Sequence, residues 1–448
     1  MKHIIQAVTF TPRLAVFFLL VTVTGLRLPA ATFFVAPTGS DAQAGTQERP
    51  FATVQRAQAA ATPGDTVYLR GGTYTMEERL IARKQGIWAY VTYLDKSGTQ
   101  AHPIRYWAFG NERPVLDFSR IKPEGLRITA FFVTASWVHF KGLDITGVQV
   151  TLTNHTQSVC FDNEGSHNLY EQLSMHDGQA IGIYSVRGSD NLFLNCDAFR
   201  NHDFTSENGK GGNVDGFGCH PAKGATGNVF RGCRAWFNSD DGFDCIGSHE
   251  AVTFENCWAF DNGYSPAFKS LADGNGFKCG GYGTTPVNRL PEVIPRHTVR
   301  FCLAVRNKAN GFYSNHHLGG SDWFNNTAFR NGSNFNMLCR LADNRTDVPG
   351  FGHKLRNNVA YKSARDLVQL DAAKSDATHN SFTMDLRLSD TTFASLDESE
   401  LARPRQANGD LPAIDFLHPS EGSALIDAGV DMGFPFRGAR PDLGAFER

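Results

Sequence analysis

A short pattern returns along the chain, and it limits the fold more than any other feature. Asn191-Leu-Phe-Leu-Asn-Cys196-Asp-Ala198 aligns with Asn228-Val-Phe-Arg-Gly-Cys233-Arg-Ala235, Val252-Thr-Phe-Glu-Asn-Cys257-Trp-Ala259 and Thr298-Val-Arg-Phe-Cys302-Leu-Ala304. Three residues past each alanine stands an asparagine: Asn201, Asn238, Asn262 and Asn307. Weaker copies run through Leu173 and Met175, through Asn326, Ala328 and Asn331, and through Asn358 and Ala360. Successive cysteines or their equivalents lie 23, 37, 24, 45, 24 and 32 residues apart. The short intervals read as bare coils and the long ones as coils with inserted loops. Within each copy apolar and polar residues alternate, which is strand periodicity. A unit this short cannot bury its own apolar face, so neighbours must stack into a solenoid. The fold class expected is all-β, a parallel β-helix with inserted loops.

Stacking sets equivalent residues in columns about 4.8 Å apart. Cys196, Cys233, Cys257 and Cys302 then form an interior column of small apolar fillers, with disulfides the lesser reading for nine cysteines. No CxxC pair is present, which argues against structural zinc. The asparagines should bond to one another at a recurring bend. A second column repeats Gly216-Phe-Gly-Cys219, Gly242-Phe-Asp-Cys245, Gly276-Phe-Lys-Cys279 and Gly311-Phe-Tyr-Ser314. Its phenylalanines point inward. Gly218, Asp244, Lys278 and Tyr313 therefore point outward, which sets Asp244 and Lys278 on adjacent coils of one column.

The ends differ. Lys2 and Arg13, the apolar run Leu14 to Leu26 and Pro29-Ala30-Ala31 read as an export signal over residues 1–31, with a membrane anchor as the alternative. A secreted protein is expected, extracellular or periplasmic, monomeric and without stable membrane association. Residues 32–448 read as one β-helical domain. Its 32–75 region should hold a short helix near Ala52–Ala61 and cap the first coil. From about 385 to 448 the repeat is lost, and that segment should lie along the side or close the far end. The formal net charge of -2 excludes a general nucleic-acid binder.

Four carboxylates converge on two neighbouring coils. Asp215 and Asp241 each stand two residues before a stacked phenylalanine, Asp240 precedes Asp241, and Asp244 takes the outward position. Singly, each reads as an Asp-Gly turn residue. Together they repel unless a cation joins them. Calcium fits such an oxygen-rich, irregular set, and magnesium fits it less well. Lys278 lies one coil further on; beside a dication its neutral form is favoured, so it can act as a base. Lys223 and Lys269 compete for that role. Arg231, Glu255 and Arg300 read as a cross-strand charge ladder. His316 and His317 could close a turn or meet a sugar, Tyr313 could stack on one, and the insert 280–296 should wall the cleft.

These motifs, with Asn213-Val-Asp-Gly-Phe, Asn238-Ser-Asp-Asp-Gly-Phe-Asp, Gly274-Asn-Gly-Phe-Lys-Cys-Gly-Gly and Asn310-Gly-Phe-Tyr-Ser-Asn-His-His, resemble the family 9 pectate lyases over residues 160–345. Gly218-Cys219-His220 departs a little from the family pattern, so the resemblance does not fix substrate preference. It implies a right-handed parallel β-helix, with calcium ligands at Asp215, Asp240, Asp241 and Asp244 and the base at Lys278. The implied reaction is β-elimination on polygalacturonate or another uronate polymer. Two rivals share the fold: a glycoside hydrolase using Asp240 and Asp241 as an acid–base pair, and a non-enzymatic carbohydrate-binding solenoid.

Overall fold

The computed structural model describes residues 30–448. The export signal expected over 1–31 therefore lies, but for its last two residues, outside the described residues. Among those described, no helix is long and apolar enough to cross a membrane.

The described residues wind through three long sheets of 12, 10 and 11 strands. One coil shows the cycle: Leu192–Leu194 joins the first sheet, Asp197–Phe199 the second and Phe217–Cys219 the third, before Asn228–Arg231 returns to the first. Neighbouring coils pair in parallel and in register, as in Leu192↔Val229 and Ala198↔Ala235. The result is a parallel β-helix, as the repeats require. The expected N-terminal helix is present as Val54–Ala60, with the Thr53 side chain accepting from Arg56 N. The region 32–75 is more than a cap, because strands Thr32–Val35 and Thr66–Leu69 already belong to the first sheet.

The columns hold the coils together. Asn201 Nδ2 donates to Asn238 Oδ1 at 3.2 Å, and the ladder continues to Asn262, Asn307 and Asn331 at 3.1, 2.9 and 3.0 Å. Each amide also donates to a main-chain carbonyl of the preceding coil, such as Asn238 to Ala198 O. Both N–H groups are thereby used, so these buried amides carry little desolvation penalty. All nine cysteines are free and buried. Thiols of the main column donate to the coil before, Cys196 to Tyr170 O and Cys233 to Phe193 O, each at 3.3 Å. Past Cys302 the column changes chemistry, with Asn326, Asn358 and Asn380 bonding side chain to side chain at 3.0 and 2.8 Å.

The residues from 385 onward lie along the side. Phe393, Leu401, Leu411, Ile414, Phe416 and Leu443 share a core with Trp236, Trp258, Phe260, Leu303 and Phe329 on the outer face of the second sheet. Arg405 fastens this segment, reaching Asp197 Oδ1 at 2.7 Å and Gly232 O at 2.9 Å. Arg234 binds the same carboxylate and the carbonyls of Leu401 and Arg403. The second sheet is thus covered. The third is flanked instead by insertions, such as those at 200–216 and 261–276 on one side and 279–297 and 337–353 on the other.

Candidate active site

The candidate site lies on the outer face of the third sheet. Phe217, Phe243, Phe277 and Phe312 stack inward with centroids 5.0, 4.8 and 5.1 Å apart. Each buried ring contributes about 1.5–3 kcal/mol of burial, and the stack fixes which side chains face outward. Gly218, Asp244, Lys278 and Tyr313 are successive partners in one column.

Lys278 Nζ lies 3.0 Å from Asp241 Oδ2 and 3.1 Å from Asp244 Oδ2. Oxygens of Asp215, Asp241 and Asp244 all lie within 4.8 Å of one another, and all three residues are buried. Main-chain N–H groups fix one oxygen of each. Asp241 N donates to Asp215 Oδ1 at 3.1 Å, Asn275 N to Asp241 Oδ1 at 2.6 Å, and Ile246 N to Asp244 Oδ1 at 2.7 Å. Asp240 stands beside this triad and outside its mutual contact, held by Asp273 N at 3.0 Å. Sequence reasoning missed Asn275, whose side chain gives Asp241 Oδ1 a second donor at 2.7 Å and is itself braced by Asn310. The signal was the pattern position: Asp215, Asp241, Asn275 and Asn310 all stand two residues before a stacked phenylalanine.

The electrostatics favour positive charge among these carboxylates, and Lys278 supplies one such charge. Burial, then repulsion from Asp244, Asp240 and Asp241, pushes the Asp215 carboxyl well above the usual range. Asp240 is raised by burial and Asp241. Asp241 is raised by burial against the opposing pull of Lys278. Burial alone would depress the Lys278 ammonium, but Asp241, Asp244, Asp215 and Asp240 more than offset it and hold the amine protonated. Asp241 Oδ2 is fully buried and accepts no hydrogen bond; its contact with Lys278 is charge attraction without hydrogen-bond alignment. An all-oxygen set in which one buried oxygen has only an ion-pair partner could hold a hard divalent cation.

The other expected residues divide. Lys223 and Lys269 are exposed. Arg231, Glu255 and Arg300 form the charge ladder, at 2.9 and 3.4 Å. His317 is buried, accepting from Gly281 N and donating to Pro295 O. His316 pairs with Asp347, which also holds Arg340.

A family model described as Pel9A-like, right handed beta helix region matches residues 33–358. The chain belongs to that family. This Pel9A-like chain is 34% identical over 426 residues to pectate lyase L of Dickeya chrysanthemi, covering 93% of this chain and 90% of that one. With pectate lyase PEL9 of Emericella nidulans it is 29% identical, over 88% of this chain and 94% of the other. Among solved structures, a rhamnogalacturonan lyase superposes with a TM-score of 0.84 at 44% identity, covering 88% of this chain and 97% of that chain. Pectate lyase Pel9A superposes with a TM-score of 0.76 at 32% identity, over 93% and 96%. The fold is the right-handed form of the parallel β-helix, and the Pel9A-like protein is a polysaccharide lyase.

Proposed function

We propose that this protein cleaves polygalacturonate by β-elimination, with Lys278 as the base and calcium held by Asp215, Asp240, Asp241 and Asp244. The observation that carries the reading is one amine 3.0 and 3.1 Å from two carboxylates of the preceding coil. A bound divalent ion would supply a Lewis acid for the uronate carboxylate, making the neighbouring C5–H more acidic. The four aspartates would turn their charge to that ion. Lys278, no longer neutralising them and now beside positive charge, would lose its proton more readily. Its free amine takes the C5 proton, the C5–H electrons form the C4–C5 double bond, and the C4–O4 bond breaks with its electron pair leaving on oxygen. Asn275 keeps Asp241 from turning during this exchange.

A second substrate is favoured by one finding, the 44% identity with a rhamnogalacturonan lyase. That polymer also contains galacturonate, so the same base and carboxylates would serve. We read residues 1–31 as an export signal and 32–448 as one β-helical domain acting as a monomer outside the cytoplasm. The test is purified protein with polygalacturonate and, separately, rhamnogalacturonan, with and without a chelator. Calcium-dependent growth of ultraviolet absorbance from the unsaturated end is expected. New reducing ends without that absorbance would mean hydrolysis and end the lyase assignment for this site.

A further inference from the structure

The outward column carries no side chain at position 218, one coil before Asp244. Two rings occupy the space. A Cβ at Gly218 would lie 2.9 Å from His220 Nε2 and 2.9 Å from Tyr184 Cδ2. Tyr184 is the residue paired with Gly218 on the other side, and its ring sits 4.9 Å from the imidazole at a tilt of 41°. Both residues are half-buried.

The hydrogen bonding of His220 fixes what it offers. Its Nδ1 lies 2.7 Å from Ile246 O, and a carbonyl can only accept, so Nδ1 carries the proton. In the neutral ring Nε2 is then a bare lone pair, and it is the atom that faces Gly218. Ile246 also donates its own N–H to Asp244 Oδ1 at 2.7 Å. One peptide residue thus links His220 to the carboxylate cluster and sets the distance between them.

We propose that Tyr184 and His220 form a sugar subsite next to the cleaved unit, in which His220 Nε2 accepts from a pyranose hydroxyl and the Tyr184 ring packs on the sugar's apolar side. A lone pair repels a carboxylate, so this position selects a sugar edge bearing hydroxyls, unlike the cation-dependent position beside it. His220 is a positioning residue here and takes no part in proton transfer. The inference rests on the galacturonate-lyase reading, and the absence of side-chain bulk at Gly218 is what leaves room for both rings.

The test uses a graded series of oligogalacturonates, from the dimer upward, with calcium present. His220→Phe keeps a planar ring and loses both the Nε2 acceptor and the Nδ1 donor to Ile246 O; Gly218→Ala leaves both side chains intact and pushes them aside, and so isolates the contact with the sugar. Each is expected to raise KM about fivefold, the worth of roughly one hydrogen bond, with kcat little changed. The effect should appear only for oligomers long enough to reach the subsite. In a Lys278→Ala background, calorimetry should show the same chain-length-dependent loss of affinity. If either variant fails to fold, the other still decides. Wild-type cleavage with unchanged KM and affinity in a folded variant would overturn the subsite alone. No cleavage and no binding by the wild type would instead remove the galacturonate reading beneath it.

Discussion

Asp241 illustrates how single residues keep the cluster open. Two N–H donors from Asn275 hold one oxygen, which leaves the other without a hydrogen bond. Asn275→Ala is expected to weaken calcium binding about 10- to 100-fold, as loss of a ligand's support does, measured by metal titration of the folded variant. Lys278→Ala should lower kcat about 10²- to 10⁴-fold while calcium binding survives or tightens, since the competing ammonium is gone. Normal turnover in that variant would exclude Lys278 as the base. The sequence makes Asp244 and Lys278 legible because strand alternation is strict: once the Gly-Phe copies are aligned, the following residue must face out. It does not make Asn275 legible. An Asn-Gly pair reads as a turn, and its bond to Asp241 crosses 34 positions that only the coil closes. Nor does the sequence reveal that Lys278 is held protonated without metal, because that depends on distances.

Coils cohere through columns, and the energetic consequences belong there. Phe243 sits between Phe217 and Phe277 with both faces in contact. Phe243→Ala is expected to cost about 3–5 kcal/mol, read as a lower melting temperature, and to loosen the Asp244 strand with it. The fastening of the C-terminal segment is a second element. Burial alone would raise the Asp197 carboxyl, but Arg405 and Arg234 more than offset it and hold it below the usual range. Its contribution is therefore complete above the unfolded value of about 3.9 and is lost as pH falls through the lower folded one. Arg405→Ala leaves a buried charge short of a partner and should destabilise by about 3–5 kcal/mol, detected by denaturant titration and by faster proteolysis after residue 385. Element identity is legible in the repeats, and so is the loss of repeat near 385. The corners are less so. Phe237 and Phe301 adopt φ of 52° and 55°, where a reader would look for glycine or asparagine. At the Phe301 bend the equivalent residues of other coils include Gly232 and Asn256, which do show that signal.

At the scale of the whole molecule, the interior also carries buried imidazoles. Burial and His297 push His317 down to about 3, and burial and Arg296 push His353 down to about 4. Between about 6.5 and those values the unfolded chain takes protons that the folded one refuses, so stability falls as pH falls. The slope is about 1.4 kcal/mol per pH unit for each histidine. Urea unfolding at pH 7 and pH 5 should show the loss, and His317→Gln should flatten it; a pH-independent midpoint across that interval would contradict it. The solenoid has one further consequence. Its rise from turn to turn is set by main-chain bonding, so the gap between Asp244 and Lys278 is a constant of the scaffold and not a product of local fit. Exchanging one letter in that outward line changes the group presented while leaving the spacing of its neighbours untouched. Such a molecule can change its chemistry without having to reinvent its shape.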